Sequence, residues 1–417
     1  MGPHVLVVVE NVPLGVDTRL RKQVDDLLAA GCRLTVISMR HADNEPYREL
    51  PGLTLREYPA PPEGSGPLGY AREYLLAFAW ATVLALRTRL RGRIDVLHLC
   101  QPPDIYFPLA WLLRWTGSRV VVDQRDLMPE LLRGRYDEPP ALMLTVLHWL
   151  ERRTQRVAHH SVTVNQYLKD RLVAAGAAPD AVSVVRNGPV LARARRAEPD
   201  AALRDGHRYL VCWIGKMGRQ DRVDLVVRAA DRVVHGFGRD DCGFVVLGDG
   251  ECLDELRALS AELGLERWVR FPGWLPEREV FAWLATADLG VDTSLQDEVS
   301  PVKAMEYMAL GLPVVCFDLR ESRALIDGAG RLVEPGDVEA VATAITELLD
   351  DPAGRRRLGE AGRRRIAAEL AWERQTPAYL RALGCGLGDG SAELQPDVPG
   401  RGPVDPADVR PGGGVVP

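Results

Sequence analysis

Short runs of aliphatic and β-branched residues recur along the first half of the chain: VLVVV from Val5, LTVIS from Leu34, VLHL from Val96, RVVVD from Arg119, SVTV from Ser161 and VSVVRNG from Val182. Each run ends in glycine, proline or a polar cluster, and segments of helical period lie between them. Strands buried on both faces read as continuous apolar runs, so this alternation predicts βα units around a parallel sheet. The pattern then pauses. From about residue 191 the run ARARRAEPDAALRDGH is charged and poor in large apolar residues, as expected of a surface linker. A second alternation follows, with strands predicted at YLVCWIG from Tyr209, FVVLG from Phe244, WVRFPG from Trp268, LGVDT from Leu289, PVVCF from Pro313 and GRLVE from Gly330. The fold class expected is α/β with two Rossmann-like domains in tandem. The expected division is an N-terminal domain over 1–195, a second over 196–365, a C-terminal helix over 366–384 that could cross back to the first domain, and a tail over 385–417. That tail is too rich in Gly, Pro and Asp to bury a core, which predicts disorder.

Composition narrows the picture little. At 417 residues and 46% hydrophobic content, two cores are the default, and a net charge of −6 gives no reason to expect a nucleic-acid partner. The seven cysteines are scattered and never spaced as C-x-x-C, against a disulfide framework or zinc cluster and in favour of a reducing cytoplasm. Residues 74–86, YLLAFAWATVLAL, form the longest uncharged apolar stretch but fall short of the ~20 needed to span a bilayer. A buried helix is the plainer reading, and contact with a membrane surface is the alternative.

The stretch richest in chemistry is DEVSPVKAMEYMALGLPVVCFD, 297–318. Ser300 followed by Pro301 reads as an N-cap and first helical residue, with the helix running to Leu310 and Gly311 closing it in the left-handed conformation. A helix N-terminus at the carboxyl end of a parallel strand offers free amides and a positive dipole end to a diphosphate, and Lys303 adds a full charge. Glu306 falls one turn beyond Val302 and Lys303 on the same face, within reach of vicinal hydroxyls such as a ribose's. Taken alone, the same residues could simply start a helix and place a solvated charge on it.

The pair Glu298 and Glu306, with seven residues between them and YMALGLPVV following, resembles the E-x7-E motif of the retaining family 4 glycosyltransferases of GT-B fold. Further segments are similar in order and spacing: IGKMGRQDRVDLVVRAA, VVLGDGECLDELRALSAELGL and VRFPGWLPEREVFAWLATADLGV in the second half, and RLRKQVDDLLAAGCRLTVIS, DVLHLCQPPDIYFPLA, VVDQRDLMPEL and VVRNGP in the first. The resemblance covers residues 5 to about 380 and points to a bacterial branch of the family. It implies two Rossmann-like domains facing a cleft and a nucleoside-diphosphate sugar as co-substrate, with no cofactor and no metal. Glu306 would hold the ribose, Glu298 the donor sugar, the backbone from Ser300 to Val302 with Pro301, together with Lys303, the diphosphate, and residues 271–275 the base. Gly248 and Gly273 would border the donor. Lys216 occupies a position often held by an arginine, whereas Asp221 stands where many relatives carry a lysine; Lys216, Arg219 or Arg222 would then supply the missing charge.

On the first-domain side many relatives place a histidine after the strand that ends near residue 122. DQRDLMPE stands there, with Arg125 near the expected position. Arginine donates hydrogen bonds but cannot serve as a base near neutral pH. Arg125, Asp126 and Glu298 are therefore the catalytic candidates. Arg19, His98, Asp104, Asp123, Glu130 and Asn187 are candidates for the acceptor side, with helix capping or a hydrogen-bonded core role as the plainer alternatives for several of them. The acceptor expected is a glycan, a lipid-linked sugar or a small-molecule glycoside. An NAD-dependent oxidoreductase is the main competitor from another class, but ENVPLGVDTR after the first strand contains no G-x-G-x-x-G. An epimerase on the same fold, or a catalytically silent subunit, are the alternatives within the resemblance.

Overall fold

The computed structural model describes residues 2–386, apart from 11, 61–65, 136–138, 195–196 and 297–298. The chain divides into two compact units, one of residues 1–186 with 376–386, the other of 187–375. Both are parallel α/β layers of the Rossmann type.

The first unit holds strands β1 (His4–Val8), β2 (Arg33–Met39), β3 (Leu53–Tyr58), β4 (Val96–Gln101), β5 (Arg119–Gln124), β6 (His160–Thr163) and β7 (Val182–Val184), ordered β3-β2-β1-β4-β5-β6-β7. All neighbours pair in parallel. Every residue of β1 and β4 is buried, which is why both read as mainly apolar runs, with His4, His98 and Gln101 as the buried polar exceptions. Among the described strands of this unit, β3 is the one the sequence reading missed: its LTLREY is an edge strand, buried at its two ends and partly exposed between.

The second unit holds β8 (Tyr209–Ile214), β9 (Cys242–Leu247), β10 (Val269–Gly273), β11 (Leu289–Asp292), β12 (Val314–Phe317) and β13 (Gly330–Val333), ordered β10-β9-β8-β11-β12-β13. All six match the predicted runs. In each sheet the strand order reverses once, at β1/β4 and at β8/β11, and such a reversal opens a crevice at the carboxyl ends of the strands.

The boundary expected at 195/196 lies instead at 186/187. The segment read as a surface linker packs on the second unit: Ala194 is buried in its core, and the Asp200 N–H donates to Thr286 Oγ1 at 2.8 Å. Asn187 thus belongs to the second unit, and Gly188 approaches Leu370 so closely that a Cβ would lie 1.7 Å from the Leu370 oxygen. The C-terminal helix is Trp372–Leu383, and from Thr376 on it belongs to the first unit. There Thr376 donates to Asp26 at 2.9 Å and Arg119 Nε to the Ala382 carbonyl at 3.0 Å. Of the tail expected from 385 on, residues 387–417 lie outside the described residues, while Cys385 is buried.

Candidate functional site

A cavity of about 350 Å³ lies at the carboxyl ends of β8, β9 and β10, at the strand-order reversal of the second sheet. Ile214 and Gly215 wall it from β8, Leu247 and Gly248 from β9, and Trp274 and Leu275 from the turn after β10. Val302, Lys303 and Glu306 of the Val302–Leu310 helix close it. Two glycines make the opening. A Cβ on Gly248 would sit 1.8 Å from the Gly215 oxygen, and one on Gly215 would press on Trp213 and on Lys303 Cε at 3.2 and 3.3 Å. Both also have positive φ, 129° and 146°.

The helix is positioned by Tyr307. Its ring lies where a Cβ on Gly290 would come within 2.2 Å, so glycine in β11 lets the helix settle on the sheet. The β8–β11 ladder stops at Cys212 and Gly290. Beyond it the Tyr307 hydroxyl accepts the Ile214 N–H at 2.9 Å and donates to the Val291 carbonyl at 3.3 Å, satisfying backbone groups where the strands part. Tyr307 stands inside a quoted motif, yet the sequence assigned it no role.

Ser300 and Pro301 differ from expectation. The helix begins at Val302 with Pro301 at the N-cap position, and no side chain caps it. Proline's ψ of 72° lies outside the helical range, so Ser300 sits one residue too early to cap; its carbonyl accepts the Val302 N–H at 2.8 Å. Glu306 is half-buried and faces the cavity together with Lys303. Glu298, the sugar-side candidate, lies outside the described residues.

Lys303 is held by two carboxylates, with Nζ 3.3 Å from Asp221 and 3.4 Å from Asp292, and it lies over the Trp213 ring at 4.8 Å. Burial alone would lower its pKa, but Asp292 and Asp221 outweigh this and raise it, so Lys303 is charged. Burial in turn raises the pKa of Asp221 despite the lysine. Asp292, unremarked in the sequence, is buried at the end of β11. Lys216 is exposed on the turn after β8, and Arg219 is exposed with a long surface pair to Glu255 at 3.8 Å. Arg222 pairs with Asp224 at 2.9 Å. Gly273, with φ of 82°, ends β10 and accepts the Gly248 N–H on its carbonyl at 3.0 Å. Of 271–275, Trp274 and Leu275 line the cavity, whereas Phe271 packs into the core.

In the first unit, Arg19 and Asp123, two of the acceptor-side candidates, meet in a buried network with Gln23 and Arg125. Asp123, at the end of β5, accepts from Arg19 Nε and Nη2 at 3.0 and 2.8 Å, from Gln23 at 2.9 Å and from Arg125 Nε at 3.1 Å. Both oxygens are engaged and the residue is fully buried. Although burial opposes it, the guanidiniums of Arg19 and Arg125 drive its pKa far down. Arg19 also donates to the Val185 carbonyl at 2.9 Å. Arg125 donates to Asp123, Asp17 and Cys100 Sγ, which ties it into this network. His98 is fully buried against the Tyr379 hydroxyl at 3.3 Å, and burial lowers its pKa to about 4. His98, Cys100 and Asp123 bring ligand-type atoms within 4.8 Å of one another, but two guanidiniums already occupy the carboxylate, so the trio does not suit a cation. Glu130 pairs with Arg171 at 2.7 Å, and Asp126 is exposed.

Two buried acids stand apart. Glu10, just past β1, accepts from the Tyr106 hydroxyl, and burial first, then Glu73, pushes its pKa up to about 8. Asp104 is pushed up to about 7 by burial and Glu151. A carboxyl with a raised folded-state pKa stabilises below its unfolded value and loses that contribution as pH rises through the folded one. Through Glu10 the first unit is therefore expected to lose stability from about pH 4.5 to 8, against the gain from His98, whose lowered pKa adds stability as the pH rises to 6.5, and Glu10→Gln should remove the Glu10 limb. Hydrogen exchange within the first unit, followed across this range, tests it; a slope unchanged in Glu10→Gln contradicts the assignment.

Comparison with known proteins matches this geometry. The family model described as Glycosyltransferase Family 4 matches residues 14–193, and that described as Glycosyl transferases group 1 matches 208–351. The chain belongs to the family 4 glycosyltransferases of GT-B fold. It is 36% identical over 140 residues to the lipopolysaccharide core biosynthesis glycosyltransferase LpsE of Rhizobium meliloti, covering 33% of this chain and 40% of that protein. It is 31% identical over 169 residues to an alpha-D-kanosaminyltransferase of Streptomyces kanamyceticus, covering 40% and 43%. These matches span less than half of either relative. Among solved structures, Anabaena HepE in complex with UDP superposes with a TM-score of 0.70 at 15% identity, over 91% of this chain and 99% of that one. Sucrose-phosphate synthase of Thermosynechococcus elongatus does so at 0.73 and 18%, over 91% and 98%.

Proposed function

We propose that this chain transfers a hexosyl residue from a nucleoside-diphosphate sugar to a hydroxyl of a glycan, a glycolipid or a secondary-metabolite glycoside, with retention and without a metal ion. The observation that carries the reading is the convergence of Gly215, Gly248, Lys303, Glu306 and the start of one helix on a single cavity. A similar chain, Anabaena HepE, has been crystallised with UDP-glucose, which supports this class of donor. In this reading the base and ribose enter between Trp274 and Glu306, and the diphosphate lies against the helix start and Lys303. The acceptor oxygen bonds to the anomeric carbon on the face from which the diphosphate departs. The acceptor's proton passes to the departing phosphate oxygen, so no protein nucleophile is consumed. Lys303 and the free amides stabilise the charge that builds on the leaving group.

The test is thermal stabilisation and slow hydrolysis with individual nucleotide sugars, in EDTA. Stabilisation by at least one of them is expected, with Glu306→Ala weakening it tenfold or more through loss of charge-assisted bonds to the ribose. Stabilisation by NAD alone, or an unchanged shift in Glu306→Ala, overturns the reading.

A further inference from the structure

Three helices cover one face of the first sheet: Gly66–Arg91, Phe107–Trp115 and Ala141–Val157. They meet the same strand residues, with Ala77, Ala81 and Ala85 of the first and Leu109, Ala110 and Leu113 of the second packed with Leu6, Leu97 and Val120. An outer helix with its inner stripe so buried normally turns a polar face to water. These do not. Leu76, Trp80, Val83 and Leu90 are exposed on the first, with Leu90 87% exposed. Trp111 and Trp115 of the second are 57% and 80% exposed and stack on each other at 5.6 Å. Trp149 of the third meets Phe107 edge-on at 5.6 Å, which joins its surface to the tryptophan pair. Of the sixteen exposed large hydrophobic residues among those described, eleven lie on these three helices.

Charge on the same helices is one-sided. They carry eight arginines against two carboxylates, Glu73 and Glu151, in a chain whose net charge is −6. Glu151 is buried and Glu73 half-buried, whereas Arg72, Arg87, Arg91, Arg114, Arg152 and Arg153 are exposed. Arg153 lies over the Trp149 ring at 5.1 Å, so cation and aromatic share one place on the surface. No helix among the described residues is long and apolar enough to cross a membrane.

We infer that this face docks on an anionic lipid bilayer, lying at its surface with the tryptophans and leucines among the acyl-chain boundaries and the arginines on the headgroups. Tryptophan is suited to that boundary because its ring is apolar and its N–H polar, and arginine reaches headgroup phosphate along an apolar stem. The absence of an exposed carboxylate from the three helices is what selects this occupant over a protein surface of mixed charge.

Sedimentation of the full chain with large vesicles tests it, comparing phosphatidylglycerol mixed with phosphatidylcholine against phosphatidylcholine alone. Binding to the anionic vesicles, reduced by salt, is expected. R152E/R153E should weaken it at least tenfold, at about fivefold per arginine removed, and W111A/W115A by a similar factor. Both variants should keep the donor-induced thermal shift of the unaltered chain, and vesicle binding is read without any donor, so this inference and the proposed function fail separately. If W111A/W115A does not fold, R152E/R153E, whose side chains are at the surface, carries the test. No binding to anionic vesicles, or binding indifferent to both variants, overturns the inference. So does a dimer, seen by light scattering, that W111A/W115A dissolves in a chain that ignores vesicles, which would give the face to a second copy.

Discussion

Asp123→Ala is expected to destabilise the first unit by about 3–5 kcal/mol, the range found when one partner of a buried ion pair is removed. The carboxylate is fully buried and meets Arg19 through two parallel hydrogen bonds, Arg125 through a third and Gln23 through a fourth. Without it, Arg19 keeps its bond to the Val185 carbonyl and Arg125 keeps Asp17. The guanidinium of Arg19, 3% exposed as a residue, then loses its two bonds to Asp123 in a site closed to water. Asp123→Asn keeps one acceptor and should recover part of the loss. Hydrogen exchange is the suitable measurement, since two units need not unfold together and a single midpoint would mix them. Protection should fall across β1, β4 and β5 while the second unit is unaffected. An acceptor-orienting role makes the opposite forecast: Asp123→Asn would fold with full protection and lose turnover alone.

The second large effect concerns Lys303. Lys303→Met is expected to weaken donor binding by tenfold to about a hundredfold, since a hydrogen bond to a charged group contributes about 1.5–3 kcal/mol. It also leaves Asp221 and Asp292 facing each other, so stability should fall as well. Adding Asp221→Asn should restore stability without restoring donor binding, which separates the two roles. Asp221→Asn alone should tighten donor binding severalfold, because in the unaltered chain the diphosphate competes with Asp221 for the same ammonium group. The sign with pH follows. Asp221 has a raised pKa, so lowering the pH protonates it before an ordinary aspartate and frees Lys303. Donor affinity should rise as the pH falls into the acid range, and Asp221→Asn should abolish that rise. Calorimetric titration with a nucleoside diphosphate across pH gives the answer, and an affinity unchanged by Asp221→Asn would remove the carboxylate from any part in donor binding.

These two cases show where sequence reading succeeds. The strands of both sheets were legible because a parallel strand buried on both faces is apolar along most of its length, whereas β3, half in water, mixes Thr, Arg and Glu among its leucines. That Lys303 and Glu306 share one cavity was legible because they stand one helical turn apart, a relation fixed by local geometry. The two carboxylates that hold Lys303 were not. Asp292 lies eleven residues before Lys303 and Asp221 eighty-two, and only the stacking of β8, β11 and the helix brings them together. The partners of the first-unit candidates were hidden for the same reason. Arg19 and Asp123 are separated by 104 residues, and nothing near either reveals that each already satisfies the other. Glu10 and Tyr106 are separated by 96, and a glutamate after an apolar run looks like a loop residue until tyrosine covers it.

The Trp372–Leu383 helix has a consequence for dissecting the chain. The backbone leaves the first unit after Arg186 and re-enters it at Thr376, so that unit is discontinuous in sequence. A gene fragment ending at residue 186 would lack the segment that seats Tyr379 on His98 and Thr376 on Asp26, and would bare a histidine that now has no exposure at all. The first unit can be made alone only by rejoining its pieces, with 376–386 fused through a linker or supplied as a separate peptide. Such a peptide would report its own docking, because the recovery of folded signal with added peptide measures directly how much the returning helix contributes.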